Sequence, residues 1–274
     1  MKRPRLSAFG DEIDPDLSRQ LEVLKANSVE HLELRAAWGV NVVELGPARL
    51  AQAAGLLQEF GVGVSAIGSP VGKSEIEGDF ESELDRLRVA LAAAARLETP
   101  LVRVFSFFIP EGRHAQHRDE VLRRMAAFAG EAESRGCTLV HENESAIYGD
   151  TAERCLDLVD AIGSPALRIA FDPANFVQVG VDTLDAWRLL ATSVVHFHVK
   201  DAVAPGEGGL MESVRLPGQG DGHLAELLVE LGRCGYDGFL TVESHLQAAL
   251  PELSGEERFE AALAALRDLL SQID

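Results

Sequence analysis

The sequence predicts an α/β fold, a (β/α)8 barrel in which eight parallel strands close into a cylinder covered by helices. Short apolar runs alternate along the whole chain with amphipathic segments of helical period. Eight such strand-helix units fit within 274 residues, about the usual length of this barrel. No linker rich in Pro, Gly or Ser divides the chain, so we expect a single domain over residues 1–274.

The first four units follow one another in order. Their strands are LSAF, HLELR, GVGVSAIGSP and LVRVFSFF, and in the fourth strand we expect Arg103, Phe105 and Phe107 to share a face. The first helix is expected to start with Asp14 as N-cap and Pro15 at the first helical position. The next three helices are predicted over residues 47–60, 79–97 and 117–135.

The last four units have the strands CTLVHE, LRIAFD, VVHFHVK and FLTVES, and their helices are predicted over residues 151–162, 184–191, 224–233 and 256–270. A doubly wound open sheet is the alternative fold. It normally carries a Gly-rich phosphate-binding turn after its first strand, and FGDEID is not such a turn. The Gly-rich loop 201–223 has no helical period, so we expect it to be mobile and to cover a bound substrate.

The charge balance opposes binding to nucleic acid and to anionic membranes. The chain has 25 basic and 44 acidic residues, a formal net charge of −19. Cys137, Cys155 and Cys234 are far apart and form no zinc or redox motif, as expected for free thiols in a reducing compartment. Neither a signal peptide nor an apolar stretch of membrane-spanning length is recognisable. We therefore expect a cytoplasmic protein without nucleic-acid or membrane partners, and association into a homo-oligomer is compatible with this composition.

Charged side chains mark the ends of the last four predicted strands. Glu142 ends the fifth, Asp172 the sixth and Glu243 the eighth, while His198 lies near the end of the seventh. In a parallel barrel these ends share the mouth where active sites lie. Each residue alone is also typical of a solvated strand end, a helix cap or a buried histidine. Together, three carboxylates and an imidazole at one mouth favour a site for a cation, because the carboxylates would otherwise repel one another.

A site with three oxygen ligands and one nitrogen ligand suits one divalent ion. Mn, Mg and Co match such a set best, and Zn is also compatible with it. We therefore predict that the metal ligands are Glu142, Asp172, His198 and Glu243.

Five motifs in the order HEN, FDPAN, HFHVKD, PGQGDG and TVESH resemble the xylose isomerase-like barrels, the superfamily of sugar phosphate isomerases and epimerases. The resemblance covers essentially the whole chain and is specific for the superfamily rather than for a substrate. It implies one divalent metal on the four residues just named, with Glu142 and Glu243 as the acid/base pair on opposite faces of a bound sugar. It also implies a small carbohydrate substrate, that is a sugar, keto-polyol or sugar phosphate, which is isomerised or epimerised through an enediolate.

One position departs from the family pattern. Epimerases of the family often have a histidine three residues after the aspartate of the sixth strand, and this chain has Asn175. Two alternatives therefore stay open: a metal-dependent lyase similar to inosose dehydratase, which would expel water, and a non-catalytic sugar-binding barrel. Endonuclease IV also resembles this barrel, but the further ligands of its three-zinc site cannot be mapped here and the net charge opposes DNA.

Five further residues are candidate substrate contacts, namely Lys200, Asn175, Arg103, Arg35 and His196. Lys200 and His196 lie two residues either side of His198, on the same strand face, and the lysine suits a substrate oxygen or phosphate. Arg103 and Arg35 are charges within strand patterns. They fit the barrel mouth, and an internal ion pair with Glu33 or Glu12 is the alternative.

Overall fold

Eight parallel strands close into a single barrel in the computed structural model, which describes residues 4–206 and 209–273. Neighbouring strands in the chain are neighbours in the barrel, and Ala8 of the first strand pairs with Val242 of the last to close it. This confirms the predicted (β/α)8 fold. The strands are β1 Arg5–Phe9, β2 His31–Leu34, β3 Gly63–Ile67, β4 Leu101–Val104, β5 Thr138–Glu142, β6 Leu167–Phe171, β7 Val194–Val199 and β8 Phe239–Val242.

Helices cover the outside of the barrel and cap parts of its mouth. They are α1 Leu17–Ala26, α2 Gly46–Phe60, α3 Phe80–Arg96, α4 His114–Glu133, α5 Ala152–Ile162, α6 Pro173–Gln178, α7 Thr183–Leu190, α8 Leu210–Ser213, α9 Leu224–Arg233 and α10 Gly255–Ser271. The apolar core lies between these helices and the strands. No described helix has both the length and the apolar character needed to cross a bilayer.

The first helix starts later than predicted. Asp16 is its N-cap, and its carboxylate accepts hydrogen bonds from the backbone N–H groups of Ser18 and Arg19. Asp14 instead accepts from the backbone N–H of Asp16. The prediction of Asp14 as N-cap was wrong because the free N–H groups of the first helical turn lie within reach of Asp16.

The fourth strand ends earlier than predicted. Beyond Val104 the chain pairs with the loop after β3, where the backbone N–H of Phe105 donates to Val71 and that of Phe107 donates to Gly72. A Cβ atom on Gly72 would lie 2.0 Å from the carbonyl oxygen of Phe105, so only glycine allows this approach. Phe107 has a φ of +67°, which ends the strand alternation. Arg103, Phe105 and Phe107 therefore do not share a strand face.

Within its described residues, 201–206 and 209–223, the loop 201–223 is more ordered than its composition indicates. Asp201–Ala202 pairs antiparallel with Val214–Arg215, and α8 forms within the loop, contrary to the expectation that it has no helix. The buried carboxylate of Asp201 accepts hydrogen bonds from the backbone N–H groups of three glycines, Gly218, Gly220 and Gly222. One side chain thus ties the second half of the loop to the end of β7. Closure of the loop over a substrate stays a prediction.

Candidate metal centre and active site

Four side chains converge at the carboxyl end of the barrel. One ligand atom from each of Glu142, Asp172, His198 and Glu243 lies within 4.8 Å of the other three. The Nδ1 atom of His198 is 3.2 Å from Glu142 Oε1, 3.8 Å from Glu243 Oε2 and 3.9 Å from Asp172 Oδ2. All four are buried, with at most 3% of any residue exposed. The structure therefore brings the four predicted ligands together.

The position of Asp172 follows from the junction between β6 and α6. Asp172 is the N-cap of α6, with Pro173 at the first position, and its Oδ1 atom accepts the backbone N–H of Asn175. Its backbone N–H and C=O are both hydrogen-bonded to the side-chain amide of Asn143. These bonds leave Oδ2 as the oxygen that faces His198.

Two atoms of this group are better suited to bind a cation than to contact the protein groups around them. His198 Nδ1 and Asp172 Oδ2 are buried and have no hydrogen-bond partner. The Lys200 ammonium is 2.7 Å from Asp172 Oδ2, but it contacts this oxygen as an ion pair without hydrogen-bond geometry. Buried polar atoms without partners are rare in folded proteins. Three carboxylates and one imidazole nitrogen arranged in this way have the donor set of a divalent metal site.

The charges in this group shift the pKa values in opposite directions. Burial raises the pKa of Asp172 to about 7 against the attraction of Lys200, and the charges of Glu243 and Glu142 add to the rise. Burial also favours the neutral form of Glu142, but His198 and Arg103 together lower its pKa to about 2. Burial works against a charged His198, yet the carboxylates of Glu142 and Glu33 raise its pKa well above the usual value. The raised pKa values of Asp172 and His198 favour their protonated forms in the metal-free group, and a divalent ion would compete with these protons.

Three cations line the same mouth. Lys200 is 5% exposed, and its Nζ atom is also 3.1 Å from Glu243 Oε2. Arg103 Nη1 is 3.0 Å from Glu142 Oε2. Arg35 Nη1 is 3.1 Å from Glu243 Oε1. Each catalytic carboxylate predicted from the sequence is thus paired with a guanidinium.

Arg35 both lies at the barrel mouth and forms an internal ion pair, the two alternatives that the sequence left open. Besides its contact with Glu243, Arg35 forms ion pairs with Asp11 at 2.7 Å and Glu12 at 3.0 Å. Arg103, by contrast, contacts neither Glu33 nor Glu12 within the part of the chain that the structure describes.

Asn175 lies beside Glu142. Its side-chain NH₂ group donates to Glu142 Oε1 at 3.2 Å and to the carbonyl oxygen of Asn143 at 2.8 Å. Both of its N–H groups are therefore engaged with the protein, which suits a residue that orients Glu142.

His196 does not reach the mouth. It is fully buried one layer below His198, where its Nε2 atom lies 2.6 Å from Glu33 Oε2 and 3.1 Å from Thr241 Oγ1. A molecule in the mouth would have to pass His198 to contact it. The predicted substrate contact for His196 therefore has no geometric basis, because strand alternation gives the face of a side chain but not its depth along the barrel.

Two residues next to the site were not predicted as part of it: Glu12 was considered only as an ion-pair partner, and His245 was not considered. The side chain of Glu12 is 4% exposed and accepts hydrogen bonds from the hydroxyl of Ser244 at 2.6 Å and the backbone N–H of His245 at 2.8 Å. The His245 ring lies 3.0 Å from Glu12, and its φ of +42° is unusual for a residue other than glycine. The acidic FGDEID turn and the ESH triplet were visible in the sequence, but the contact between them joins the first strand to the last.

Most of the chain matches the model of a known protein family. The model of the xylose isomerase-like TIM barrel matches residues 21–269. The chain belongs to this family. The resemblance seen in its motifs is confirmed.

One curated relative and two solved structures are among the proteins similar to this chain. The inosose dehydratase of Clostridium perfringens (strain 13 / Type A) is 23% identical over 260 residues, which cover 88% of this chain and 79% of that protein. The solved structure of the IOLI protein with a bound zinc atom has a TM-score of 0.83 at 18% identity and covers 100% of this chain and 99% of its own. A D-tagatose 3-epimerase-like protein has a TM-score of 0.73 at 19% identity over 100% of both chains. At these identities the solved structures show the shared fold alone.

Proposed function

We propose that this protein is a divalent-metal-dependent enzyme that isomerises or epimerises a small polyhydroxylated carbonyl compound. The observation that carries the proposal is the convergence of Glu142, Asp172, His198 and Glu243, with His198 Nδ1 and Asp172 Oδ2 buried and without hydrogen-bond partners. A sugar, a keto-polyol or a sugar phosphate matches the size and polarity expected of the substrate.

A bound divalent ion would polarise neighbouring carbonyl and hydroxyl oxygens of the substrate and so acidify the adjacent C–H bond. Mn, Mg or Co suits the oxygen-rich ligand set, and the zinc atom in the IOLI structure adds support for Zn. Asp172 and His198 would serve as ligands only. Glu142 and Glu243 would serve as ligands and would also transfer the proton.

The surroundings of the two glutamates keep both carboxylates in the ionised form, which a general base requires. Arg103 beside Glu142 and Arg35 beside Glu243 favour the ionised carboxylates, and Lys200 and the other nearby cations hold the pKa of Glu243 well below its usual value although burial opposes this. One glutamate would remove the carbon-bound proton, and the other, or the same one, would return it.

Cationic side chains can stabilise the enediolate between these two steps. Arg103 has an N–H group at the mouth next to Glu142. Lys200 and Arg35 have N–H groups next to Glu243. Fixed donors of this kind favour negative charge that develops on substrate oxygens. We propose Lys200, Arg103 and Arg35 as substrate contacts, and Asn175 as a contact that also orients Glu142.

Dehydration is a second candidate, favoured by the inosose dehydratase relative. One glutamate would remove a proton next to the carbonyl, and the same or the other glutamate would then give a proton to a hydroxyl group on the next carbon, so that this group leaves as water. The two reactions share their first step and their ligands, so the ligand geometry supports both.

Product analysis separates the candidates. We would incubate metal-loaded protein with ketoses, keto-inositols and their phosphates in heavy water and follow the products by mass spectrometry. Isomerisation conserves the mass apart from exchanged deuterium, whereas dehydration loses one water. Ligand binding without turnover for any member of the panel would favour a sugar-binding barrel. Protein that does not bind a divalent metal would overturn the proposal.

A further inference from the structure

A second polar layer lies directly below the four converging side chains. Glu33, His196 and Thr241 are all fully buried in the barrel interior. They come from β2, β7 and β8, so the layer joins strands that are distant in the chain. Fully buried carboxylates are rare and expensive unless they are paired, so this layer calls for an explanation beyond packing.

His198 belongs to both layers. Its Nε2 atom lies 3.3 Å from Glu33 Oε2, on the lower side of the ring, and its Nδ1 atom faces Glu142, Asp172 and Glu243 on the upper side. A neutral imidazole carries one N–H donor and one lone pair. In the neutral form, which a histidine must take to bind a metal, Glu33 as acceptor for Nε2–H leaves the lone pair on Nδ1, where the other three ligand atoms converge.

The ring of His198 has little freedom to turn. Phe9 packs edge-on against it with 5.2 Å between ring centroids, and His196 packs at 88° to it at 5.3 Å. Glu33 is in turn held by His196, whose Nε2 atom is 2.6 Å away. Both imidazoles thus share one carboxylate oxygen.

The lower layer does not have the spacing of a second metal site. Two atoms that bind the same ion at about 2.0–2.2 Å are roughly 3 Å or more apart. Glu33 Oε2 and His196 Nε2 are closer than this and form a direct hydrogen bond. Among the described residues, the hydrogen bond that links this layer to the group above is the one between Glu33 and His198.

We infer that Glu33 is a positioning residue for the metal centre: its carboxylate fixes the His198 ring so that Nδ1 presents its lone pair to the ion. The inference rests on the metal site proposed above. A carboxylate that accepts from the second nitrogen of a ligand histidine also makes that histidine a stronger ligand, and the loss of such a partner typically costs 10–100-fold in metal affinity.

Metal affinity is the direct test. We would strip the wild type, Glu33→Gln, Glu33→Leu and Thr241→Val of metal and titrate each with Co²⁺, following the visible spectrum and the dissociation constant. We expect about tenfold weaker binding in Glu33→Gln and a larger loss in Glu33→Leu, with an altered Co²⁺ spectrum. Thr241→Val is the matched control, since the Thr241 hydroxyl is hydrogen-bonded to the His196 ring, and among the described residues no hydrogen bond joins it to the ring of His198, its neighbour across the β7–β8 pairing. We expect this variant to bind Co²⁺ like the wild type.

The possible outcomes separate the two claims. If the wild type binds no Co²⁺, the proposed metal site fails. If the wild type binds it and folded Glu33→Gln binds with the same affinity and spectrum, only the role of Glu33 is overturned. Because Glu33→Leu removes the carboxylate that both buried imidazoles share and can fail to fold, Glu33→Gln, which keeps the size and an acceptor oxygen, is the deciding variant. A merely structural role would lower the thermal stability of Glu33→Gln and leave the Co²⁺ spectrum of its folded form unchanged.

Discussion

The two ends of the barrel differ in what their polar groups face. At the amino end a cavity of about 840 Å³ is lined by Arg5, His31, Gln58 and Arg96. Arg5 there stacks over the ring of Phe239, and both arginines are exposed. At the carboxyl end three carboxylates and an imidazole are buried around one point. The amino-end cavity is thus lined by exposed cations, whereas the converging buried charges lie at the carboxyl end.

The difference between the ends has a physical cause. Exposed cations at the amino end are solvated by water and need no partner. Buried carboxylates at the carboxyl end cannot be solvated, so the fold supplies Lys200, Arg35 and Arg103 to them and still leaves two ligand atoms without hydrogen bonds. Substitutions test this contrast between solvated cations at the amino end and buried carboxylates at the carboxyl end.

The largest effect is expected from removing the basic carboxylates. Glu142→Gln and Glu243→Gln keep the side-chain size and one metal-coordinating oxygen but cannot accept the substrate proton. Turnover should fall by about a hundredfold or more in each, as is typical of a lost general base, while most of the bound metal is retained. Substantial activity in both variants, with no solvent deuterium in the product, would rule out the two glutamates as the acid/base pair.

Lys200→Met should act on metal binding and on stability in opposite directions. The ammonium contacts Asp172 and Glu243 on oxygens that face the centre, so it repels a divalent ion, and its loss should strengthen metal binding severalfold or more. In the metal-free protein the same loss leaves buried carboxylates unpaired and should cost about 3–5 kcal/mol of the free energy of unfolding.

Calorimetric metal titration and thermal melting with EDTA check both effects of Lys200→Met. Lys25→Met is the matched control, because Lys25 lies outside the mouth and donates to the carbonyl oxygen of Phe60. Weaker metal binding in Lys200→Met would show that the lysine supports the ion rather than opposing it.

A smaller effect is expected in the loop that borders the mouth. Asp201→Asn replaces an acceptor oxygen with an NH₂ group that faces the backbone N–H groups of the glycines, and we expect a loss of about 1–3 kcal/mol in stability. Hydrogen exchange of residues 216–222 should become faster. Asp221→Asn, an exposed change in the same loop, should leave the exchange unchanged. Equal exchange in the two variants would show that Asp201 does not hold the loop.

The parts of the site predicted from the sequence are those whose position is set locally. Glu142, Asp172, His198 and Glu243 each lie at or near the end of their own strand, so strand assignment and the rule for parallel barrels suffice to bring them together. His196 was misplaced because two residues along a strand span roughly 6.6 Å, enough to move a side chain from the mouth into the interior.

The contacts of Glu33, Glu12 and His245 around the site were not predicted, for a different reason: Glu33 and Glu12 were considered only as ion-pair partners of the arginines. Their roles depend on contacts across the barrel: Glu33 with His196 and His198 on β7, and Glu12 with the residues that follow β8. No local pattern encodes which strands a closed barrel brings face to face at a given depth. The N-cap of α1 and the end of β4 were likewise decided by contacts that periodicity does not report.

Elemental analysis of the purified protein tests the central claim most directly. The wild type should hold one divalent metal per chain at the carboxyl end. Asp172→Ala should lose most of this metal, because it removes the ligand oxygen that has no other hydrogen-bond partner. Arg5→Ala, at the amino end, should retain the full amount. Equal metal content in the wild type and Asp172→Ala would contradict the account, and so would metal lost from Arg5→Ala alone.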